Sequence, residues 1–327
     1  MNDFQRQIAD IFMPHAMREI ARVRNERVRF AHYTSADTGL KILRSERILL
    51  RNSTLMNDFS EVRHGLSCLQ AAYAGPSGER LKAALRPIQA DLPEILEGNF
   101  NGQIMDVLSE TYITSVSEHG DGHEDKFGRL SMWRAYAPKD GIAFVMNNAP
   151  FVGESHALGA FTSPVAYLMP DDFQPAFEEV VAAVERSGEL LQQLGGKAVH
   201  DLIVNAFRFA VQSTKHPSFK EEREWRIIYT PTLLESAGLQ KPDQADRVPT
   251  EIMALGGVPQ RVYSIPFKDH PDEGFVGATV PDLLDRILIG PSQDSYVIQQ
   301  AFVAELTRLK VPEPEKRVMI TDVPLRQ

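Results

Sequence analysis

The hydrophobic and polar residues of the chain follow two different periods, and these periods predict where helices and strands lie. Segments with apolar residues at helical spacing predict helices over 3–26 (bent at Pro14), 59–108 (interrupted at 75–78), 173–194, 197–213 and 294–310. Short apolar or alternating segments predict strands at 29–34, 47–51, 111–117, 141–146, 158–168, 219–229, 262–267, 286–289 and 317–321.

The order of these elements indicates the fold class. Strands and helices do not alternate regularly, which argues against a doubly wound parallel sheet. We therefore expect an α+β fold in which a mixed, mainly antiparallel sheet forms the core and carries helical insertions. The expected organisation is an N-terminal helix (1–28) and one α+β domain (29–327), with helical excursions at 59–108 and 173–213. Gly and Pro residues predict a loop insertion at 232–258.

Composition narrows the class of protein. Apolar residues make up 43% of the 327 residues and charged residues 24%, which is enough to form a sizeable core. The net charge of −9 argues against nonspecific nucleic-acid binding, which needs a basic excess. The single cysteine, Cys68, excludes an intrachain disulfide. No secretory signal and no apolar run of about 20 residues is present, so we expect a cytoplasmic protein that does not cross a membrane.

The segment from Glu222 to Arg226 carries the clearest chemical pattern. On a strand, residues two apart share a face, so Glu222, Glu224 and Arg226 are expected to line one polar cleft. The alternative is a surface face with weak Glu–Arg pairs. The apolar residues Ile227 and Ile228 follow directly, which favours a position near the core.

Three other groups of residues have candidate roles in binding. His32, on a predicted strand, could hold a sugar hydroxyl, or it could be a packed core histidine. Trp133 and Tyr136 lie three apart and could stack on a flat ring, or they could be core aromatics. Ser115 and Ser117 place two hydroxyls on one strand face, for which cross-strand packing is the simplest reading.

A polar loop contains candidate metal ligands, namely His119, His123, Glu124 and Asp125. Their spacing fits no closed zinc set. We therefore expect no metal.

Taken in order, several motifs resemble a bacterial family, the domain of unknown function 2971, over about residues 29 to 300. They are His32-Tyr33-Thr34, Asn57-Asp58 with Glu61, Ser115 to Glu118, Trp133 with Tyr136 and Gly141, Glu222 to Arg226, and Ile289-Gly290-Pro291. The family name implies no activity.

The opening strand with His32-Tyr33-Thr34, its short helix and the next strand are also similar to some ADP-ribosyltransferases, including toxins that modify DNA bases. This resemblance implies an ADP-ribosyltransferase-like fold, NAD as co-substrate and three roles. His32 would hold the ribose hydroxyls, Trp133 or Tyr136 would stack on nicotinamide, and Glu224 would be catalytic, with Glu222 as a paired glutamate. The assignment between Glu222 and Glu224 stays open.

The candidate site residues can be stated as two sets. The catalytic candidates are Glu224, Glu222 and His32. The candidates for binding NAD or its pyrophosphate are His32, Tyr33, Thr34, Arg51, Asn57, Trp133, Tyr136 and Arg226.

The leading hypothesis is an NAD-dependent ADP-ribosyltransferase-like enzyme with an unknown acceptor, acting in stress or phage defence. The second is a non-enzymatic domain that binds or senses a nucleotide or a protein. The third is a nucleotide hydrolase or nuclease that uses Glu222 and Glu224.

Overall fold

The computed structural model describes residues 2–55, 59–236, 240–321 and 323. The α-helices are α1 (Asp3–Phe12), α2 (Pro14–Glu26), α3 (Ala36–Ser45), α4 (Phe59–Tyr73), α5 (Pro76–Leu85), α6 (Leu92–Ser109), α7 (His123–Phe127), α8 (Leu130–Tyr136), α9 (Ala149–Val152), α10 (Pro170–Arg186), α11 (Gly188–Leu194), α12 (Gly196–Gln212), α13 (Pro231–Ser236), α14 (Gln244–Arg247), α15 (Val280–Leu283), α16 (Ser295–Arg308) and α17 (Pro314–Arg317). Short 3-10 helices occupy Ser53–Leu55, Pro217–Glu222 and Pro271–Glu273.

The strands are β1 (Arg29–Ser35), β2 (Arg47–Asn52), β3 (Tyr112–His119), β4 (Gly141–Met146), β5 (Ala160–Pro164), β6 (Ala166–Tyr167), β7 (Thr214–Lys215), β8 (Glu224–Tyr229), β9 (Thr250–Leu255), β10 (Val258–Pro266), β11 (Leu284–Ile289) and β12 (Val318–Ile320). None of the described helices is long and apolar enough to cross a membrane.

The chain divides into two compact units. The helical unit comprises residues 1–21, 52–111 and 163–220. Its core is made of aliphatic and aromatic side chains from α1, α4, α5, α6, α10, α11 and α12, with Leu81, Leu85, Phe177 and Val199 among the buried residues. Each such side chain contributes roughly 1.5–3 kcal/mol by leaving water. Burial of one face of each amphipathic helix therefore holds this unit together.

The sheet unit comprises residues 22–51, 112–162 and 221–327. In the described residues a ten-stranded sheet has the order β12-β11-β4-β1-β3-β2-β10-β9, while β8 pairs with β3 and β5 pairs with β8. The pairs β1–β3, β1–β4 and β3–β8 are antiparallel, and β11–β12 is parallel. Because β3 contacts β1, β2 and β8, it is the branch point of the sheet, and the candidate site lies on it.

Helices cover both faces of the sheet unit. On one face α3 comes so close to β4 that a Cβ atom on Gly39 would lie 2.5 Å from Ile142 Cδ1. Phe302 of α16 packs edge-on against Phe144 on the same face. On the other face, α8 places the Trp133 ring edge-on against Tyr33, with 4.8 Å between the ring centroids. The prediction of a mixed, mainly antiparallel sheet with helices is confirmed.

Besides the helix predicted over 173–194, which is the separate helices α10 and α11, four predicted elements need correction. The helix predicted over 3–26 is two helices, because Pro14 lacks an N–H donor and begins α2. The strand predicted over 219–229 begins at Glu224, since Arg223 has a left-handed φ of 43°. The predicted strand over 158–168 is the separate strands β5 and β6.

The fourth correction concerns the loop predicted over 232–258. Its described part contains α13, α14 and strand β9, which forms a hairpin with β10. Gly256 and Gly257, with φ of 58° and 82°, form the hairpin turn. Two adjacent residues with positive φ are what a tight hairpin turn requires, which is why glycine is used here.

Candidate functional site

Glu224 is a buried carboxylate at the first position of β8. Arg226 binds it with two donors on one edge of its guanidinium group: Nε lies 2.9 Å from Oε1, and Nη2 lies 3.2 Å from Oε2. The two side chains are 8% and 4% exposed. A buried pair of this kind adds little net stability but fixes the direction of the carboxylate. The predicted alignment of Glu224 with Arg226 is confirmed.

Ser115 of β3 is the second group that orients Glu224. Its hydroxyl donates to Glu224 Oε1 at 2.6 Å. The register explains this contact, since Ser115 lies opposite Arg226 and Ser117 lies opposite Glu224. Residues opposite each other on neighbouring strands share a face. Ser115 therefore does more than pack across the strands, because its hydroxyl holds the candidate catalytic group.

His32 contacts the same serine through the main chain. Its Nδ1 lies 3.0 Å from the carbonyl oxygen of Ser115. A carbonyl can only accept, so Nδ1 donates. Burial lowers the pKa of His32, which favours the neutral ring with a lone pair on Nε2. His32 directly follows the last β1–β3 pair, Ala31 with Ser117, so its side chain continues the link where backbone pairing ends.

His32 and Glu224 reach Ser115 from opposite faces of the sheet. Ala31 pairs with Ser117, and Ser117 pairs with Glu224, so Ala31 and Glu224 point the same way. Side chains alternate along a strand, so His32 points to the other face. There it lines a cavity of about 20 Å³ together with apolar residues of α3 and β4, including Ile42 and Phe144. Ser115 thus links an imidazole on one face to a carboxylate on the other.

Glu222 lies beside this site but not on the strand. It ends the 3-10 helix Pro217–Glu222, so the predicted alignment of Glu222 with Glu224 and Arg226 along one strand face is wrong. The backbone reverses at Arg223 before the strand begins. The hydroxyl of Tyr136 donates to Glu222 Oε1 at 3.0 Å. A second carboxylate is therefore held close to the start of β8 by an aromatic residue of α8.

Trp133 and Tyr136 lie three apart on α8, as predicted, but they differ in exposure. Trp133 is 2% exposed, and its indole Nε1 donates to the carbonyl of Phe127 at 2.8 Å. Tyr136 is 40% exposed. Tyr33 is also buried: burial raises its pKa to about 12, and its hydroxyl accepts from the backbone N–H of Arg129. Of these three aromatic rings, Tyr136 is the one open to a ligand.

The loop that resembled a metal site is a network of ion pairs. Arg29 binds Asp121 and Asp125 at 2.8 Å and Asp285 at 2.7 Å. Burial is the largest single influence on the pKa of Asp285 and would raise it, but the hydrogen bonds and positive charges of Arg29 and Arg286 together lower the pKa. Among the residues that the structure describes, no group of three or more His, Cys, Asp or Glu side chains could hold a metal ion.

His119 lies inside this network. Its side chain is fully buried, and burial lowers its pKa. The Nε2 atom lies 3.4 Å from Asp125 Oδ1, and Nδ1 lies 4.0 Å from Glu124 Oε1. Neither ring nitrogen makes a hydrogen bond within the described residues. The ring is thus neutral at pH 7 and close to two carboxylates.

Two other predicted NAD-binding residues lie on strands β1 and β2. Thr34 lies on β1 opposite Ile142, and Arg51 lies on β2 opposite Val262. Asn57 lies outside the described residues. For Thr34 and Arg51, binding stays a prediction.

One residue near the site was not found from the sequence. Arg129 is the N-cap residue of α8, and it donates to the main-chain carbonyls of Glu221 and Glu222, shortly before Glu224. An isolated arginine in a polar loop carries no signal in the sequence that separates it from a solvated surface residue.

The comparisons with known proteins bear on the central part of the chain. No curated protein and no solved structure matches the chain. The segment that carries Trp133, Tyr136 and the Glu222–Arg226 motif does match a family model. Residues 132–227 match the family model described as Protein of unknown function (DUF2971), so the resemblance to this family is borne out over these residues.

Proposed function

We propose that the chain is an ADP-ribosyltransferase-like enzyme that uses NAD, with Glu224 as its catalytic carboxylate. One observation carries the proposal. A carboxylate that is 7% exposed is held by the Ser115 hydroxyl and the Arg226 guanidinium group, and a second carboxylate, Glu222, is held nearby by Tyr136. A role in stress or phage defence in bacteria is part of the proposal and rests on the resemblance alone.

The chemistry requires a fixed negative charge. When the bond between nicotinamide and ribose breaks, its electron pair leaves with nicotinamide and the ribose becomes cationic. A carboxylate that is already oriented stabilises this charge without reorganisation. The acceptor then forms a bond to the same ribose carbon and loses a proton, for which Glu222 and Glu224 are the candidate bases. In this scheme Ser115 and Arg226 keep the Glu224 carboxylate in one direction.

His32 enters the proposal through Ser115. Its imidazole donates to the main chain of the residue whose hydroxyl holds Glu224. We therefore propose that His32 positions Ser115. Direct binding of ribose hydroxyls by His32 stays a prediction, and it needs a substrate that reaches the sheet face opposite the Glu224 carboxylate.

The test is release of nicotinamide from labelled NAD, with water as the acceptor so that no further substrate is needed. We expect Glu224→Gln to lower the release rate by about 10²-fold or more. The matched control is Glu315→Gln, at an exposed glutamate of α17 in the same unit, which is expected to keep the wild-type rate. Equal rates for wild type and Glu224→Gln, or no release by either, would contradict the proposal.

The second candidate is a non-enzymatic domain that binds a nucleotide. The observation that favours it is the bidentate pairing of Glu224 with Arg226, because a structural ion pair has the same geometry. Titration calorimetry with NAD separates the two functions. Binding without release of nicotinamide would favour the second candidate.

A further inference from the structure

Arg129 binds more oxygen atoms than any ordinary surface ion pair requires. Its side chain is 13% exposed. Four of its five contacts are to oxygens near the start of β8 or the end of β3, and the fifth is to Glu124 of α7. The distances are 2.8 Å to Ser117 Oγ, 2.7 Å to Glu118 O, 2.7 Å to Glu221 O, 3.1 Å to Glu222 O and 2.5 Å to Glu124 Oε1.

These contacts leave Arg129 no evident role in binding an anion. A guanidinium group has five N–H donors. Here its two Nη atoms already contact main-chain, hydroxyl and carboxylate oxygens, and Glu124 balances its charge. Its role must therefore follow from what it holds in place.

Arg129 holds the short main-chain segment from Glu221 to Arg223, which contains an unfavourable backbone conformation. Glu221 and Glu222 precede Arg223, whose φ of 43° is unfavourable for a residue with a side chain. Glu224 follows at once and begins β8. On the far side of Arg223, the N–H of Glu118 donates to the Arg223 carbonyl at 2.9 Å. The main chain is thus tied down immediately before both candidate catalytic carboxylates.

We propose that Arg129 is a positioning residue for the proposed reaction: its guanidinium group fixes the main chain at Glu221 and Glu222, and so fixes the Glu222 and Glu224 carboxylates relative to each other. The catalytic part of this inference rests on the proposed function. The positioning part does not. Ser117 contributes to the same arrangement, because its hydroxyl also donates to the Glu222 carbonyl.

The first experiment tests how firmly the main chain is held, and its result does not depend on enzymatic activity. Arg129→Lys keeps the charge but removes the planar group that spans several carbonyls. We expect the peptide covering 217–226 to exchange its amide hydrogens about tenfold faster or more in this variant, with the rest of the sheet unit unchanged. Arg308→Lys is the matched control, since Arg308 is a half-exposed arginine of α16 paired with Glu305 in the same unit. Wild-type exchange of this peptide in Arg129→Lys would overturn the inference.

A second variant covers the case in which Arg129→Lys loses its fold. Ser117→Ala removes one hydroxyl that contacts both Arg129 and the Glu222 carbonyl, and leaves the arginine in place. Faster exchange confined to the same peptide would support the inference. Unchanged exchange there would overturn it.

Nicotinamide release from NAD then tests the catalytic part. We expect Arg129→Lys to lower kcat about tenfold with KM unchanged, because carboxylates that are misplaced act on the transition state and not on binding of the substrate. A raised KM with wild-type kcat would overturn this part. If wild type shows no release that depends on Glu224, the proposed function fails, while hydrogen exchange still decides whether Arg129 positions the segment.

Discussion

The helical unit and the centre of the sheet unit bury different kinds of side chain. Between α4, α5, α10 and α12 the core cluster is mainly aliphatic and aromatic, and the buried Lys215 of this unit, paired with Glu61, lies outside the cluster. Where β3 meets β8, the interior instead contains Ser117, His119, Glu224 and Arg226. Burying charge is unfavourable unless each group is paired, so a folded chain keeps such groups where they are matched or used. The contrast indicates that the packing of one unit serves stability, and that the polar centre of the other is the place to look for chemistry.

Removing Arg226 should produce the largest effect. Arg226→Met leaves the Glu224 carboxylate buried without its ion pair, and we expect the free energy of unfolding to fall by about 3–5 kcal/mol. Replacing both partners, in Glu224→Leu with Arg226→Met, should restore much of the loss because no charge remains buried. Urea unfolding followed by tryptophan fluorescence measures this, since Trp133 and Trp225 both lie in the sheet unit.

The double variant shows whether the loss of stability in Arg226→Met comes from an unpaired charge or from lost packing. If the single and the double variant lose the same stability, the loss reflects packing rather than an unpaired charge. The polar centre would then not differ in kind from the helical core.

Leu85→Ala tests the apolar core of the helical unit. Leu85 is fully buried on α5 and has only apolar neighbours in the core cluster. We expect a loss of roughly 2–5 kcal/mol, composed of lost burial and a residual cavity. Far-UV circular dichroism during urea unfolding measures it. Leu85→Met nearly conserves volume and should cost less than about 1.5 kcal/mol. If Leu85→Ala also changed nicotinamide release by the folded protein, the division between stability and chemistry would be wrong.

Much of the fold could be predicted from the sequence because it follows from local periodicity. The apolar run from Gly141 to Met146 is the buried strand β4, and the helical spacing over 197–213 corresponds to α12. Boundaries were missed where one backbone conformation decides them. The left-handed Arg223 ends the 3-10 helix and starts β8, and nothing in the pattern of apolar residues marks that reversal.

The candidate site was only partly predictable, for a related reason. Glu224 and Arg226 were placed on one face because strand alternation is a local rule. The hydrogen bond from Ser115 to Glu224 joins residues 109 positions apart, so it depends on the register of β3 and β8. The sequence left open whether Trp133 or Tyr136 stacks on a ligand or packs in the core, because the spacing of aromatic residues does not say which ring a helix buries. In the structure the buried ring is that of Trp133, because it packs against the ring of Tyr33.

The smallest expected effect is a dependence of stability on pH that comes from the buried imidazoles of the sheet unit. The pKa of His119 is lowered by burial, which outweighs the attraction of Glu124; Arg29 lowers it further, and Asp125 raises it. The pKa of His32 is also lowered by burial. Between each lowered pKa and the value of about 6.5 in the unfolded chain, the unfolded state binds more protons. Stability should therefore fall as the pH falls below about 6.5, by at most about 1.4 kcal/mol per pH unit for each histidine.

His119→Asn measures how much of the pH dependence of stability comes from His119. Its unfolding free energy at pH 7.5, 6.5 and 5.5 should show a smaller slope than that of wild type, because a group that takes up a proton only on unfolding has been removed. The slope should not vanish, since His32 remains. Arg308→Lys exchanges two side chains that both stay charged between pH 5.5 and 7.5, so this control variant should keep the wild-type slope. An unchanged slope in His119→Asn would mean that His119 has the same pKa in the folded and the unfolded chain, because the attraction of Glu124 and Asp125 then offsets its burial completely. A steeper slope would mean that His119 carries a proton in the folded protein, and the polar centre would then hold one more buried charge than its burial suggests.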